Sequence, residues 1–233
     1  MVTRKTTDFS KLDFVNGETL LIDKPSQWTS FKVVQTIRKA INVKRVGHTG
    51  TLDPMATGLL IILTGKMTKE MKSFEGLDKT YTGTILLGKT SPSMDTETEM
   101  MDRELNPNLT TAILSETRDT FIGDIEQVPP MYSALKVKGK KLYELARKGK
   151  EVKRDARTIH IDKFELTEIK LPEIRFEIKC SKGTYIRVIA NDFGEKLGSG
   201  AVLSNLRRTA IGKYSIIEAL KVEEFIQKIA PFA

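Results

Sequence analysis

The sequence predicts an α+β fold built on a mainly antiparallel sheet. Three observations carry that expectation. Ile174, Phe176, Ile178 and Cys180 alternate with Arg175, Glu177, Lys179 and Ser181, the pattern of a half-buried strand. Val33, Val34, Ile37, Ala40 and Ile41 repeat at helical spacing behind Ser30. Strands and helices then mix along the chain without a regular βαβ rhythm, which argues against a doubly wound parallel sheet.

Taken in order, Thr19-Leu20-Leu21-Ile22 is a short strand stopped at Asp23-Lys24-Pro25. The first helix follows, with Ser30 expected as its N-cap and Lys32, Arg38, Lys39, Lys44 and Arg45 on and just after it. Gly47 to Leu60, GHTGTLDPMATGLL, is rich in glycine and threonine and reads as a constrained turn. It runs into the apolar block Leu59-Leu60-Ile61-Ile62-Leu63. Thr80 to Leu87 alternates and is rich in β-formers, a second strand. Ser91 to Met100 is polar and acidic without a period, a loop. Ile113, Leu114 and Phe121 mark a helix from about Thr110 to near Gly123, and Val128-Pro129-Pro130-Met131-Tyr132-Ser133 cannot be helical. Leu135 to Arg157 is dense in Lys and Arg, with a short helix at Leu142, Leu145 and Ala146 and Gly149 as its expected C-cap. After the alternating strand, Ser181-Lys182-Gly183 turns into a helix bearing Ile186, Ile189, Ala190, Phe193 and Leu197, with Gly198 past its end. Val222, Phe225, Ile226 and Ile229 form the last helix.

Composition narrows the function classes. A chain of 233 residues can bury a core, and no apolar run reaches the length of a membrane span. No apolar stretch follows the N-terminal basic residues, so no secretory signal is expected. A single cysteine, Cys180, allows neither an internal disulfide nor a cysteine metal site, so a reducing cytoplasm is the simplest compartment. The net charge of +8 points to a polyanionic partner, most often nucleic acid.

Several chemistries can be set aside. Gly65-Lys66 is not a phosphate-binding loop, because Leu60 and Met67 stand where that motif needs glycine and a hydroxyl. A glycosidase needs two facing carboxylates, and the Gly47–Leu60 segment offers one. Two histidines as distant as His48 and His160 make a catalytic metal improbable, and His160, between Ile159 and Ile161, belongs on the polar face of a strand. Asp53 is left as a lone nucleophile or base, or simply as the first residue of an Asp-Pro turn. A nucleophilic carboxylate needs a cationic partner, and Arg187, in the first turn of an otherwise apolar helix, is the candidate. Its plainer alternative is a surface arginine.

GHTGTLDPMATGLL resembles the central motif of the TruB family of tRNA pseudouridine synthases. LLIDKPSQWTSFKVV is similar to the family's lysine–proline motif, DKTYTGTILLG to its tyrosine-bearing strand, and QVPPMYSALKVKGKKLYELARKG to its basic insertion. CSKGTYIRVIANDFGEKLG resembles its arginine motif and LSNLRRTAIG its leucine–arginine motif, so the likeness runs in the family's order from Leu20 to about Gly212.

The resemblance implies a pseudouridine synthase fold: a central mixed, mostly antiparallel sheet flanked by helices, with the active cleft across its middle. It implies isomerisation of uridine to pseudouridine at position 55 in the T loop of tRNA, by base flipping and without cofactor or metal. Asp53 becomes the nucleophile, attacking either the ribose C1′ or the pyrimidine C6. Tyr81 stacks on the target base and helps move the C5 proton, and Arg187 pairs with Asp53. Tyr185 contacts substrate, Leu206 closes over the base, Arg207 or Arg208 meets phosphate, Lys24 and Pro25 shape the pocket wall, and His48 stacks within the RNA loop. Outside the resemblance, Tyr81, Tyr185 and Leu206 would be read as core or as cover for a neighbouring helix.

The whole of 1–233 is then expected to be one catalytic domain, with a basic thumb insertion at about 124–157 gripping RNA. The small C-terminal RNA-binding domain of bacterial members is expected to be absent or reduced to a stub. The partner is tRNA, with no protein partner and no membrane, and the chain is expected to be a cytoplasmic monomer because it shows no exposed apolar seam. Two rivals remain: a tRNA-binding folding helper without catalysis, and a synthase dependent on guide RNA.

Overall fold

The computed structural model describes residues 1–137 and 139–232. They form two compact units, one of Met1–Thr82 with Leu206–Ala233 and one of Gly83–Asn205. The chain passes between them inside the strands Lys79–Leu87 and Ala201–Ile211.

In the first unit Thr19–Lys24 pairs antiparallel with Thr57–Thr64, placing Leu21 opposite Ile61. Leu220–Lys221 adds parallel to the former strand, Val46–His48 antiparallel to the latter, and Arg207 and Arg208 lie parallel to Thr57 and Gly58. The apolar block Leu59–Leu63 is explained by this position, since both faces of its strand are covered. Leu60 and Ile62 pack with Val33, Val34 and Ile37 of the helix Ser30–Ile41 and with Phe225 of the helix Val222–Ile229. Leu59, Ile61 and Leu63 pack with Ile211 and Ala219 on the other face. Phe9 and Phe14 of the N-terminal segment lay their rings on Phe225.

In the second unit Gly123–Gln127, Arg157–Lys170 and Glu173–Cys180 form successive antiparallel pairs. His160 is on the outer face, half exposed and hydrogen-bonded to Asp124, as its alternation with Ile159 and Ile161 predicts. The inner face carries a cluster of Phe121, Phe164, Phe176 and Phe193, the last from the helix Ile186–Lys196. Between Gln127 and Arg157 the basic insertion holds a two-residue hairpin, Lys136–Val137 with Lys140–Lys141, and the helix Leu142–Ala146. The class is α+β with a mixed sheet, as the sequence predicts.

Local expectations fail at identifiable places. Thr29, not Ser30, caps the first helix by accepting the Lys32 N–H, because the Ser30 hydroxyl is bonded to Leu52. The helix begun at Thr110 spans only Thr111–Asp119 and ends at Thr120, where the chain turns Phe121 into the core. Arg147, not Gly149, is the C-cap of Leu142–Ala146, although Gly149 follows with φ +66°. Residues 91–100 form a loop as the sequence predicts, but not an exposed one throughout: Ser93 and Asp95 are buried, and Asp95 bridges to Leu203. The strand Ala201–Ile211 has no clear sequence period, because Ala201, Val202 and Leu203 are all buried and Arg208 is buried among polar neighbours.

Candidate active site

Of the predicted site residues, Lys24, His48, Asp53, Tyr81, Leu206 and Arg207 belong to the first unit, and Tyr185 and Arg187 to the second.

In the first unit the geometry centres on the loop from Thr49 to Ala56. Lys24 is fully buried at the end of its strand. Its ammonium donates to the carbonyls of Pro25 at 2.9 Å, Trp28 at 2.6 Å and Pro54 at 3.3 Å. Arg208, 1% exposed, donates from Nε to Leu59 O at 2.7 Å and from Nη2 to Gly50 O at 3.1 Å. Ser30 closes the remaining side: its hydroxyl accepts the Leu52 N–H at 2.9 Å and donates to Leu52 O at 3.2 Å. Asp53 thus sits between a residue pinned by Ser30 and a residue pinned by Lys24. Two buried cations take backbone carbonyls as their partners, which satisfies the desolvated charges and fixes the loop at once.

Gly58 is required here. Its φ is +108°, and a Cβ would meet the Arg208 carbonyl oxygen at 2.3 Å. Only glycine lets the strand pass so close to the Arg208 backbone. Gly58 therefore serves the close approach of two strands rather than mobility.

The local electrostatics follow from burial. Burial pushes the Lys24 ammonium down to about 8; the Asp53 and Asp23 charges act against that shift and Arg208 acts with it. Burial, and then Arg208, hold His48 below the usual histidine value, so its ring is neutral at pH 7. His48 Nδ1 faces the Gly50 N–H at 3.4 Å as an acceptor. Arg207 forms a bidentate pair with Asp23, at 3.1 and 2.7 Å, and donates to Thr57 Oγ1 at 3.3 Å. Of the two arginines considered for phosphate, Arg208 is removed from that role by its burial and its carbonyl partners, while Arg207 remains partly exposed. Tyr81 and Leu206 are buried, at 8% and 5% exposure.

In the second unit Arg187 is 2% exposed, so it is no surface arginine. Its Nη1 meets Asp95 Oδ2 at 3.2 Å and its Nη2 donates to Tyr132 O at 2.6 Å. Asp95 in turn accepts the Glu97 N–H at 2.9 Å. Tyr185 is the N-cap of the Arg187 helix, with the Arg187 guanidinium 5.7 Å from its ring centre. Sequence reasoning missed Asp95, and it missed the parts that Ser30 and Arg208 play in holding the loop. Their roles depend on pairings across long stretches of chain, and no local period marks them. Among the described residues no group of His, Cys, Asp or Glu could hold a metal ion, and no helix is long and apolar enough to cross a membrane.

The model of the TruB family pseudouridylate synthase N-terminal domain matches residues 38–186, and the chain belongs to that family. It is 51% identical to tRNA pseudouridine synthase B of Chloroherpeton thalassium, over 94% of this chain and 92% of the relative. It is 48% identical to tRNA pseudouridine synthase B of Phocaeicola vulgatus, over 92% of this chain and 94% of the relative. Among solved structures, a Cbf5–Nop10–Gar1 complex superposes with a TM-score of 0.71 at 26% identity, covering 92% of this chain and 54% of that chain.

Proposed function

We propose that this chain converts uridine to pseudouridine in the T loop of tRNA, with Asp53 as nucleophile and no cofactor. The observation that carries the reading is the loop around Asp53, held by Ser30 and Lys24 on either side of the carboxylate. A nucleophile works best when its geometry is fixed before substrate arrives. The curated relatives, named as tRNA pseudouridine synthases over nearly the whole chain, support tRNA as the RNA.

The reaction breaks the bond from N1 of uracil to C1′ of ribose and forms a bond from C5 to C1′. The hydrogen at C5 leaves as a proton and N1 gains one, so atoms balance and no oxidant or reductant is required. Asp53 attacks C1′ or C6 to free the base for rotation. The base must leave its stack for the carboxylate to reach it. A neutral His48 suits stacking in the vacated RNA loop, and Tyr81 suits stacking on the uracil and transfer of the C5 proton; such contacts each offset roughly 1–3 kcal/mol. Arg187 supplies the cation that orients the nucleophile, Tyr185 and Leu206 contact the base, and Arg207 meets phosphate once released from Asp23.

The test is tritium release from uridine labelled at C5 in an unmodified tRNA transcript, with purified protein and nothing added. Release near one equivalent per tRNA, abolished by Asp53→Asn with tRNA binding retained, is the expected result. Tight binding without release overturns the stand-alone enzyme and favours a folding helper or a synthase that needs a guide RNA.

A further inference from the structure

The basic insertion leaves the sheet after Gln127 and returns at Arg157, and these two residues face each other in the antiparallel register. Both reach to Tyr185. Gln127 is 2% exposed, and its side-chain amide takes both main-chain groups of that residue. Oε1 accepts the Tyr185 N–H at 2.8 Å, and Nε2 donates to the Tyr185 carbonyl at 3.1 Å. Arg157 approaches from the other foot: its guanidinium lies 5.0 Å from the Tyr185 ring centre and donates to the Gly183 carbonyl. Gly183 has φ +82°, so the turn that presents Tyr185 is itself a shape that favours glycine.

A paired amide fixes both the position and the rotation of the backbone it binds, and a guanidinium over an aromatic face restricts the ring. Tyr185 caps its helix without a side-chain hydrogen bond of its own, so the Gln127 amide stands in for a strand partner at that point. The insertion touches the same helical turn again where Tyr132 accepts from Arg187. We propose that Gln127 and Arg157 are positioning residues that set Tyr185 against the flipped uridine, joining both feet of the insertion to the substrate tyrosine. This rests on the reading of Tyr185 as a substrate contact.

The test combines three measurements on the full chain: single-turnover tritium release at saturating protein, tRNA affinity, and hydrogen–deuterium exchange across residues 183–187. Gln127→Ala is expected to slow the single turnover by up to about 100-fold while tRNA affinity stays within about threefold, because the misplacement acts on the reacting geometry. Gln127→Glu, which keeps the acceptor and loses the donor, falls between. Both variants speed exchange at the Tyr185 amide. If Gln127 acts through Tyr185, adding Gln127→Ala to Tyr185→Ala costs nothing further. Additive losses in that cycle, or unchanged exchange at Tyr185, overturn the positioning role. A Tyr185→Ala variant that turns over at the normal rate overturns the substrate reading of Tyr185 and the proposal with it. A slow Tyr185→Ala beside a normal Gln127→Ala overturns the proposal alone.

Discussion

Lys24 is a cation without exposure, and its three carbonyl partners explain why it is there. A neutral side chain of the same length could fill the volume but could not pin Pro54, whose neighbour is Asp53. The charge is held at a cost, since burial lowers the folded-state value to about 8 against an ordinary 10.5. The unfolded chain therefore binds more protons than the folded one between those two values, and stability attributable to Lys24 rises with pH across that window. Below pH 8 both states are protonated and the full penalty stands. Relative to Lys24→Met, which does not titrate there, the wild type is expected to gain roughly 2 kcal/mol of unfolding free energy between pH 7.5 and 9.5. Urea unfolding of both proteins across that range checks it, and a flat difference means that Lys24 does not titrate near pH 8. Turnover should move oppositely, falling in the wild type as the ammonium opposite Asp53 is lost.

The loop at residues 91–100 shows what an element hides from the sequence. Its composition is that of a solvated turn, yet Asp95 is 1% exposed and paired with the equally buried Arg187. Removing one partner of a buried ion pair is destabilising, by up to about 3–5 kcal/mol. Asp95→Ala is expected to lose stability of that order and to slow isomerisation, whereas Glu99→Ala, on the exposed part of the same loop, should do neither. Thermal unfolding and tritium release on the two variants separate a positioned loop from a passive one. Elements with a private signal were legible. The helix Val222–Ile229 and the strand Glu173–Cys180 lie where their apolar periods put them, whereas the block Leu59–Leu63 showed only that it would be buried, and the fold makes it a strand covered on both faces. Asp53 was legible as a lone carboxylate in a constrained turn. What holds that turn was not, because Ser30, Lys24 and Arg208 reach it from other strands and helices, and a hydroxyl or a cation carries no mark of which carbonyl it will meet. Ser30 is the clearest case: read locally it is an N-cap, and only the fold assigns its hydroxyl to Leu52.

Over the whole molecule, the net charge of +8 is unevenly compensated. On the outer face of the second unit's sheet, cations are matched by carboxylates: Lys163 with Glu165 and Glu177, Arg175 and Lys170 with Glu168, and Lys179 with Asp162. Such a face is close to neutral at short range and has little to offer a polyanion. The basic insertion differs. Lys140, Lys148, Lys150 and Lys153 are exposed and, among the described residues, stand in no ion pair. If the insertion grips the RNA backbone, these four release counterions on binding, each contributing about 0.7–0.9 to the slope of log affinity against log salt. Replacing all four by Gln is expected to lower that slope by about 3, and to weaken tRNA binding most at low salt. Replacing Lys163, Lys170 and Lys179 instead should leave the slope unchanged, because those charges are already met within the protein. Single turnover at saturating protein should be little altered by the insertion variant, since the bonds that hold Tyr185 and Arg187 come from Gln127, Asp95 and Tyr132 rather than from these lysines. Equal slopes for the two sets would place the RNA on the molecule's overall field rather than on the insertion.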